Sequence, residues 1–146
     1  MGLLTSFNLF SITVYCTNQT ISLTDTTTIV DIISPFYPSY YPLDVDCFWR
    51  VATTTEGSTN PGFIIIHFDT VSLSFRNDYL TVGVGHEVMD SSIIFRLTGT
   101  GGPRLASVDE SSVWLRLKTD PWGQNEIGFY LRVQWQEFAG KLVLNV

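Results

Sequence analysis

The chain has 146 residues, of which 45% are hydrophobic and 15% charged, which is enough for one packed domain and too little for two. Its 14 acidic and 8 basic residues give a net charge of -6, so nucleic-acid phosphates and anionic headgroups would repel it. The aromatic content of 14% is too high for a disordered chain, and no apolar run reaches the roughly 20 residues that cross a bilayer. These quantities exclude nucleic-acid partners, membrane insertion and most multidomain enzymes.

The first 15 residues are mostly apolar and allow two interpretations. They have the length of a signal peptide's apolar region but lack its basic start, so they are either a degenerate secretory signal or a first strand packed on the domain. We divide the chain into this lead at 1–15, one domain at 16–136 and a short apolar tail at 137–146.

From Thr20 onward, short apolar or alternating runs are separated by turns rich in Gly and Pro, and none keeps a helical period for three turns. Seven runs are predicted strands: Thr28–Ile33, Cys47–Ala52, Phe63–Asp69, Tyr79–Val84, Ile93–Leu97, Val113–Lys118 and Gly128–Trp135. This pattern predicts an all-β sandwich of two sheets. We expect Trp114, Leu115, Leu117 and the series Phe129, Leu131, Val133, Trp135 to enter one apolar core.

An immunoglobulin sandwich has a similar number of strands, but its tryptophan lies between its two cysteines. Here Trp49 follows the second cysteine, Cys47, by two residues, which excludes that fold. The count of two cysteines is equally consistent with free thiols and with one disulfide.

One segment carries a family resemblance. The sequence Ile32-Ile-Ser-Pro-Phe-Tyr-Pro-Ser-Tyr-Tyr-Pro42, followed by Cys47-Phe-Trp49, resembles the opening of a CUB domain, which reads Ser-Pro-x-Tyr-Pro, a second Tyr-Pro and then Cys-x-Trp. Later landmarks follow in the family's order: Phe68-Asp69, Asp78-Tyr-Leu-Thr-Val82, Lys118-Thr-Asp120 and Gly128-Phe129. The resemblance covers about residues 16–136 and implies an antiparallel, jelly-roll-like sandwich.

The resemblance also implies a disulfide between Cys16 and Cys47, and with it an oxidising, extracellular compartment. The triplet Asn18-Gln19-Thr20 is an acceptor for N-glycosylation and fits that compartment. We therefore expect a secreted protein or a fragment of an ectodomain. A second disulfide that is usual in the family is missing, because Phe75 and the Leu97/Thr98 neighbourhood occupy its positions.

Many CUB domains bind calcium through a tyrosine, a glutamate and two aspartates, and the resemblance places Tyr41, Asp78 and Asp120 on three of these positions. The glutamate's position falls on Thr70 or Val71, and Asp69 could replace it only if the strand end bends toward the site. Because calcium affinity follows the number of charged ligands, we expect weak binding, about 10⁻⁴ to 10⁻³ M. The plainer interpretation is that Asp78 and Asp120 are turn residues bonded to nearby amides.

Little in the sequence supports catalysis. His67 lies inside a predicted strand and His86 in a turn, and the chain has neither a Gly-x-Ser-x-Gly nucleophile elbow nor a phosphate-binding Gly-rich loop. The cysteines and histidines also lack the paired spacing of a zinc site.

We therefore predict a non-catalytic module that binds an extracellular protein ligand. By resemblance, Tyr41, Asp78 and Asp120 would form the surface that accepts a basic side chain of the partner, and replacing either aspartate by alanine would weaken binding without unfolding the domain. The alternative is a carbohydrate-binding sandwich in which Tyr40, Tyr41 and Trp122 stack on sugar rings.

Overall fold

A computed structural model describes residues 16, 18–53, 62–123 and 125–137, and within these ranges strands account for almost all regular structure. The strands are β1 Gln19–Leu23, β2 Ile29–Ile33, β3 Asp46–Thr53, β4 Gly62–Ser72, β5 Tyr79–Val84, β6 Ile93–Leu97, β7 Leu105–Val108, β8 Ser112–Lys118 and β9 Gly128–Glu137. One 3-10 turn, Asp90–Ser92, precedes β6. No helix among the described residues could cross a membrane. The predicted lead at 1–15 and the tail beyond residue 137 lie outside the described residues.

The strands form two sheets, which confirms the predicted all-β sandwich. The five-stranded sheet has the order β1-β3-β8-β5-β6, and the four-stranded sheet has the order β2-β9-β4-β7. All ladders between described strands are antiparallel except that between β1 and β3, which is parallel, so the sandwich is predominantly antiparallel. All seven predicted strands are present, while β1 and β7 were not predicted.

The core lies between the two sheets and is built by the alternation of each strand. In β9 the predicted series Phe129, Leu131, Val133 and Trp135 faces inward and is buried. Trp49 also enters this core, where its ring meets that of Phe129 edge to face at 5.4 Å between centroids. Aromatic pairs favour this arrangement because a positive ring edge meets a negative ring face.

The position of Trp114 differs from the prediction that it enters the core between the sheets. Its neighbours Val113 and Leu115 face the core, so alternation places Trp114 on the outer face of the five-stranded sheet. It is nevertheless 1% exposed, because its indole lies over Gly83 and its Nε1 donates a hydrogen bond of 3.1 Å to Ser92 Oγ. The segment after β5 therefore folds back over this sheet and covers the ring.

The predicted disulfide between Cys16 and Cys47 is confirmed. It joins the start of the described chain to β3, across a sequence separation of 31 residues. Because β1 follows directly and pairs with β3, the disulfide fixes the edge of the five-stranded sheet.

Four loops meet at one end of the sandwich: 34–45, 73–78, 98–104 and the loop made up of 119–123 and 125–127. Backbone hydrogen bonds join them, from Tyr41 N to Glu126 O at 3.2 Å, from Asp44 N to Asp120 O at 2.9 Å and from Leu73 N to Gly99 O at 2.8 Å. We call this region the loop end, and it contains the predicted site.

Candidate functional site

The structure brings together the three residues predicted for the metal and partner site. The Tyr41 hydroxyl donates a 2.6 Å hydrogen bond to Asp78 Oδ2, and the backbone N–H of Asp120 donates to Asp78 Oδ1 at 2.8 Å. Tyr41 also accepts a hydrogen bond of 2.9 Å from Ser74 N. Asp78 is therefore the centre of a cluster that draws on three of the four loops.

Local sequence explains how Tyr41 reaches this position. The prolines of the Ser34–Pro42 segment oppose helix and keep the chain irregular or extended, so the loop can turn Tyr41 inward. Gly128 lies directly below, with φ of +91°, and a side chain there would collide with Ser34 and press on the Tyr41 ring. Glycine at the start of β9 thus keeps the space that Tyr41 fills.

The two aspartates are placed by turns. Asp78 ends the tight turn after β4, in which its N–H donates to Ser74 O at 3.0 Å. Asp120 follows β8, and its Oδ1 accepts a hydrogen bond of 3.1 Å from Trp122 N, as Asp often does two residues before an amide in a turn. The plainer interpretation of both residues as turn formers thus describes their local bonding, but it does not account for their adjacency.

Burial shapes the electrostatics of the cluster. The pKa of Asp78 is raised, chiefly because burial disfavours its charged form and also because the Asp120 carboxylate repels it, while its two hydrogen bonds act in the opposite direction. Burial, followed by the hydrogen bond to Asp78, raises the pKa of Tyr41 as well. Among the described residues no Lys or Arg forms an ion pair with either aspartate.

Accessibility differs between the three residues. Tyr41 is 3% exposed and Asp78 is fully buried, whereas Asp120 is partly exposed. Asp120 is therefore the member of the three that solvent reaches, while Tyr41 and Asp78 are shielded from it.

None of the three residues considered in place of the missing glutamate turns an oxygen toward the cluster, because each has other contacts. Thr70 accepts a 3.3 Å hydrogen bond from the Tyr37 hydroxyl, and Val71 is buried in the core. Asp69 forms two hydrogen bonds with Arg132, at 2.6 and 3.1 Å, so the strand end does not turn its carboxylate toward Asp78.

Sequence reasoning missed Glu126. Its Oε2 accepts a 2.6 Å hydrogen bond from Ser72 Oγ, its backbone carbonyl accepts from Tyr41 N, and its charge adds to the rise in the Tyr41 pKa. The sequence signal that could have indicated Glu126 is its position two residues before the Gly128-Phe129 landmark. In the described part of the chain, however, no three His, Cys, Asp or Glu residues are close enough to share a metal ion.

Exposed apolar side chains lie on the same loops as this acidic cluster. Trp122 is 70% exposed, Phe75 62%, Tyr40 56% and Leu43 40%. Backbone strain lies in the same loops, since Phe36, Asp44 and Arg76 have φ of 68°, 54° and 66° without being glycine. Residues with positive φ cost energy and concentrate at functional sites.

The two loops that lack the family's second disulfide are joined in other ways. The Phe75 ring lies against Gly99, and Arg76 N donates a 2.8 Å hydrogen bond to Thr98 Oγ1. The residues that replace the two cysteines therefore still connect the β4–β5 loop to the end of β6.

The remaining predicted residues lie apart from this end. Asn18 is exposed, and its Oδ1 accepts a 3.1 Å hydrogen bond from Phe48 N. His67 is partly buried, with its Nε2 3.3 Å from Gln134 Oε1, and His86 is exposed in a bend. Neither histidine lies in the Tyr41–Asp78–Asp120 cluster.

Comparison with known proteins gives the family. The sequence profile of the CUB domain matches residues 16–132, which is most of the chain, and the chain therefore belongs to the CUB domain family. CUB domains are generally non-catalytic modules for protein interactions in extracellular proteins.

Solved structures show the same fold. The CUB1-EGF-CUB2 domains of human MASP-1/3 superpose with a TM-score of 0.67 and 19% identity, over 84% of this chain and 43% of that one. The MASP-1 CUB2 domain bound to Ca²⁺ gives 0.58 and 20%, over 78% and 96%. The full extracellular region of zebrafish Gpr126/Adgrg6 gives 0.63 and 18%, over 82% and 15%. The chain spans less than half of the human MASP-1/3 and zebrafish chains.

Proposed function

We propose that this chain is a non-catalytic, extracellular protein-interaction module that binds a basic side chain of its partner at the loop end, with support from weakly bound calcium. The observation that carries the proposal is the adjacency of Asp78 and Asp120, two carboxylates without an ion pair in the described part of the chain. An added positive charge would offset both the repulsion between the two carboxylates and the cost of burying the charge of Asp78.

The cluster offers the oxygen ligands that calcium prefers, but few of them are charged. Asp78 and Asp120 would hold the ion, and Tyr41 would position Asp78 through its hydrogen bond. With two carboxylates instead of the family's three, the affinity should fall in the range of about 10⁻⁴ to 10⁻³ M, which extracellular modules use. The bound ion would supply the positive charge that the cluster lacks. Support for this comes from the calcium bound by the MASP-1 CUB2 domain, which has the same fold.

Asp120 is the residue placed to accept the partner's lysine or arginine. It is partly exposed at the surface, and the exposed Trp122 follows it by two residues. Tryptophan and tyrosine are enriched among the residues that dominate interface energies, and Trp122 and Tyr40 would exclude water from the charged contact. The charge would mainly set the specificity and the rate of association.

The extracellular assignment rests on two observations. Disulfides such as Cys16–Cys47 form and persist in oxidising compartments, and the exposed Asn18 lies in a glycosylation triplet. Both agree with the extracellular setting of the family.

Calcium titration by calorimetry tests the first step. We expect weak binding in the wild type, loss of binding in Asp120→Asn and unchanged binding in Asp109→Asn, which removes an exposed carboxylate from the opposite end of the sandwich. Absence of binding by the wild type, or equal loss in both variants, would contradict the calcium assignment.

A second titration tests the basic ligand. A short lysine peptide, added with calcium present, should shift the NMR signals of Asp120 and the Trp122 indole, whereas the same peptide with acetylated lysine should not. Identical shifts with both peptides would overturn the assignment of the loop end to a basic side chain. Asp78→Ala is a poor probe here because it also removes a buried hydrogen-bond partner of Tyr41.

Carbohydrate binding at the same end is the second candidate. The exposure of Tyr40 and Trp122 favours it. Tyr41 was also predicted to stack on a sugar, which its burial prevents. Binding on a glycan array that Trp122→Ala abolishes, and that EDTA leaves unchanged, would favour this candidate over the protein-binding one.

A further inference from the structure

The outer face of the five-stranded sheet concentrates positive charge in an acidic chain. Four of the chain's 8 basic residues project from this face, namely Arg50, Arg96, Arg116 and Lys118. Their positions alternate with core residues along β3, β6 and β8, so the strand period places them all on the side away from the core. The chain as a whole carries a net charge of -6, so the sign of this face is opposite to that of the whole chain.

Three of these cations line one open cavity. The cavity has a volume of about 230 Å³, and its lining consists of Tyr79, Thr81, Arg96, Arg116 and Lys118. Strand register explains the grouping, because Arg116 and Arg96 flank Thr81 in one row, and Lys118 lies opposite Tyr79 in the next. From strand geometry, the Cα atoms of Arg96 and Arg116 are about 10 Å apart, and those of Arg116 and Lys118 about 7 Å apart.

The acidic groups near this cavity do not neutralise it. Asp46 accepts two hydrogen bonds from Arg116, at 2.8 and 2.7 Å, and lies 3.9 Å from Lys118. Asp90 is near enough to raise the pKa of Arg116 slightly, after the larger effect of Asp46. Arg96 forms no ion pair with any residue that the structure describes, so positive charge remains in excess.

Arg116 is held in a fixed orientation. Its guanidinium lies over the Phe48 ring, 5.2 Å from the centroid, and its Nε and Nη2 bind Asp46. This leaves three of its five N–H donors, two on Nη1 and one on Nη2, for other acceptors. A planar guanidinium fixed in this way is preorganised to bind an oxyanion, because it loses little side-chain conformational entropy on binding.

The position in the sheet restricts the class of ligand. β5 and β8 are interior strands, so their backbone groups are paired on both sides, and the cavity lies on the face of the sheet and not along its edge strand β6. A ligand in the cavity therefore contacts side chains and not unpaired backbone groups. The cations are also too widely spaced to converge fully on one oxyanion, which favours a chain with several anionic groups. Tyr79, which is partly exposed, adds a ring that can pack against a sugar, whereas Thr81 is 7% exposed.

We propose that this cavity, the basic pocket, binds a sulfated glycan. Arg96 and Lys118 contact sulfate groups through exposed charged heads, Arg116 donates from its fixed guanidinium, and Tyr79 packs against a sugar ring. Arginine and lysine form short, charge-assisted hydrogen bonds to such oxyanions. The pocket lies on the sheet face and uses neither Asp120 nor calcium, so it is independent of the function proposed for the loop end.

Heparin serves as the probe, and two double variants of equal net charge are compared. Arg96→Gln/Lys118→Gln removes two exposed charges from the basic pocket, and Arg104→Gln/Arg132→Gln removes two charges beside the four-stranded sheet. We expect wild type to bind immobilised heparin with an affinity that falls as salt rises, and the pocket variant to bind about ten-fold more weakly. The control variant should stay within about two-fold of wild type, since distant charges are screened.

Further arms decide the class of ligand. Fully desulfated heparin should not bind, and a poly-glutamate peptide should bind less tightly than heparin. Absence of heparin binding, an equal loss in both variants or tighter binding of poly-glutamate would overturn the proposal, the last in favour of an acidic peptide. Melting temperatures of both variants check that the fold is intact, which the full or partial exposure of all four side chains leads us to expect.

Discussion

The phenol of Tyr41 bonds the buried carboxylate of Asp78 at 2.6 Å and, with the same oxygen, accepts the N–H of Ser74 at 2.9 Å. One side chain thus satisfies a buried charge and a buried amide from the opposite loop. Buried polar groups left without partners are costly, so this hydroxyl supports the whole loop end.

Tyr41→Phe should therefore destabilise the domain although it preserves the ring. It removes the partners of Asp78 Oδ2 and Ser74 N, and we expect the free energy of unfolding to fall by about 2–4 kcal/mol. Urea denaturation measures the change. Tyr40→Phe is the matched control, because the neighbouring Tyr40 is exposed and its replacement should change the free energy of unfolding by less than about 0.5 kcal/mol. Equal effects of the two substitutions would refute the role of the buried hydroxyl.

Gly83→Ala should also destabilise the domain, for a steric reason. The Trp114 indole lies where a Cβ at this position would be, so the ring would have to move and break its bond to Ser92. Overpacking of this kind costs about 1–3 kcal/mol. Gly123→Ala is the control, since a Cβ there meets nothing within 4 Å. Thermal unfolding, followed by near-UV circular dichroism of the tryptophans, would show a lowered melting temperature for Gly83→Ala alone.

The sequence predicted the fold because its strand runs, turn residues and Tyr-Pro landmarks all indicate the same sandwich. β1 and β7 were missed because they are short, mostly exposed strands whose pattern is weak over four or five residues. Trp114 was assigned to the core because apolar character alone does not tell which face a residue occupies. What buries it is a glycine in β5 and a returning loop, both remote in sequence.

The sequence predicted that the three candidate residues lie together, but it did not predict how deeply they are buried. The family pattern named Tyr41, Asp78 and Asp120, and the structure brings them together, but their burial depends on how four loops pack. Glu126 and the basic pocket were not foreseen, because both arise from register between distant strands and loops. Arg96 and Arg116 are separated by 20 positions in sequence, yet they flank the same threonine.

Removal of the disulfide should cost stability without changing the fold. Cys16–Cys47 closes a loop across 31 residues, and the chain-entropy model assigns about 3–4 kcal/mol to a loop of this size. We expect Cys16→Ala/Cys47→Ala to lower the free energy of unfolding by this amount in urea denaturation. Wild type measured in a reducing agent should match the variant, and an unchanged midpoint in both would show that the bond contributes little.

Asn18 should carry an N-linked glycan when the chain passes through a secretory pathway. Its Oδ1 accepts the hydrogen bond from Phe48 N, which leaves the exposed amide nitrogen for the sugar. Mass spectrometry should show the glycan in wild type and in Thr20→Ser, which keeps the acceptor triplet, and no glycan in Thr20→Ala. An unmodified wild type secreted from eukaryotic cells would contradict the assignment.

The two kinds of aspartate in this domain predict opposite dependences of stability on pH. The ion pair with Arg116 lowers the pKa of Asp46 below 3.8, so its contribution is present above that pH and is lost as the pH falls through the lowered value. Burial raises the pKa of Asp78, so its contribution is present below 3.8 and is lost as the pH rises through the raised value.

Paired variants separate the two effects. The stability of wild type relative to Asp46→Asn should increase as the pH rises from about 3 to 6, because the native state favours the charged form of Asp46. Relative to Asp78→Asn, the stability of wild type should decrease over the same rise, because the native state holds the Asp78 proton more tightly than the unfolded chain does. Urea denaturation at each pH provides the free energies. Two differences of the same sign would show that the hydrogen bonds from Tyr41 and Asp120 N outweigh burial and lower the pKa of Asp78, which would contradict the direction assigned here.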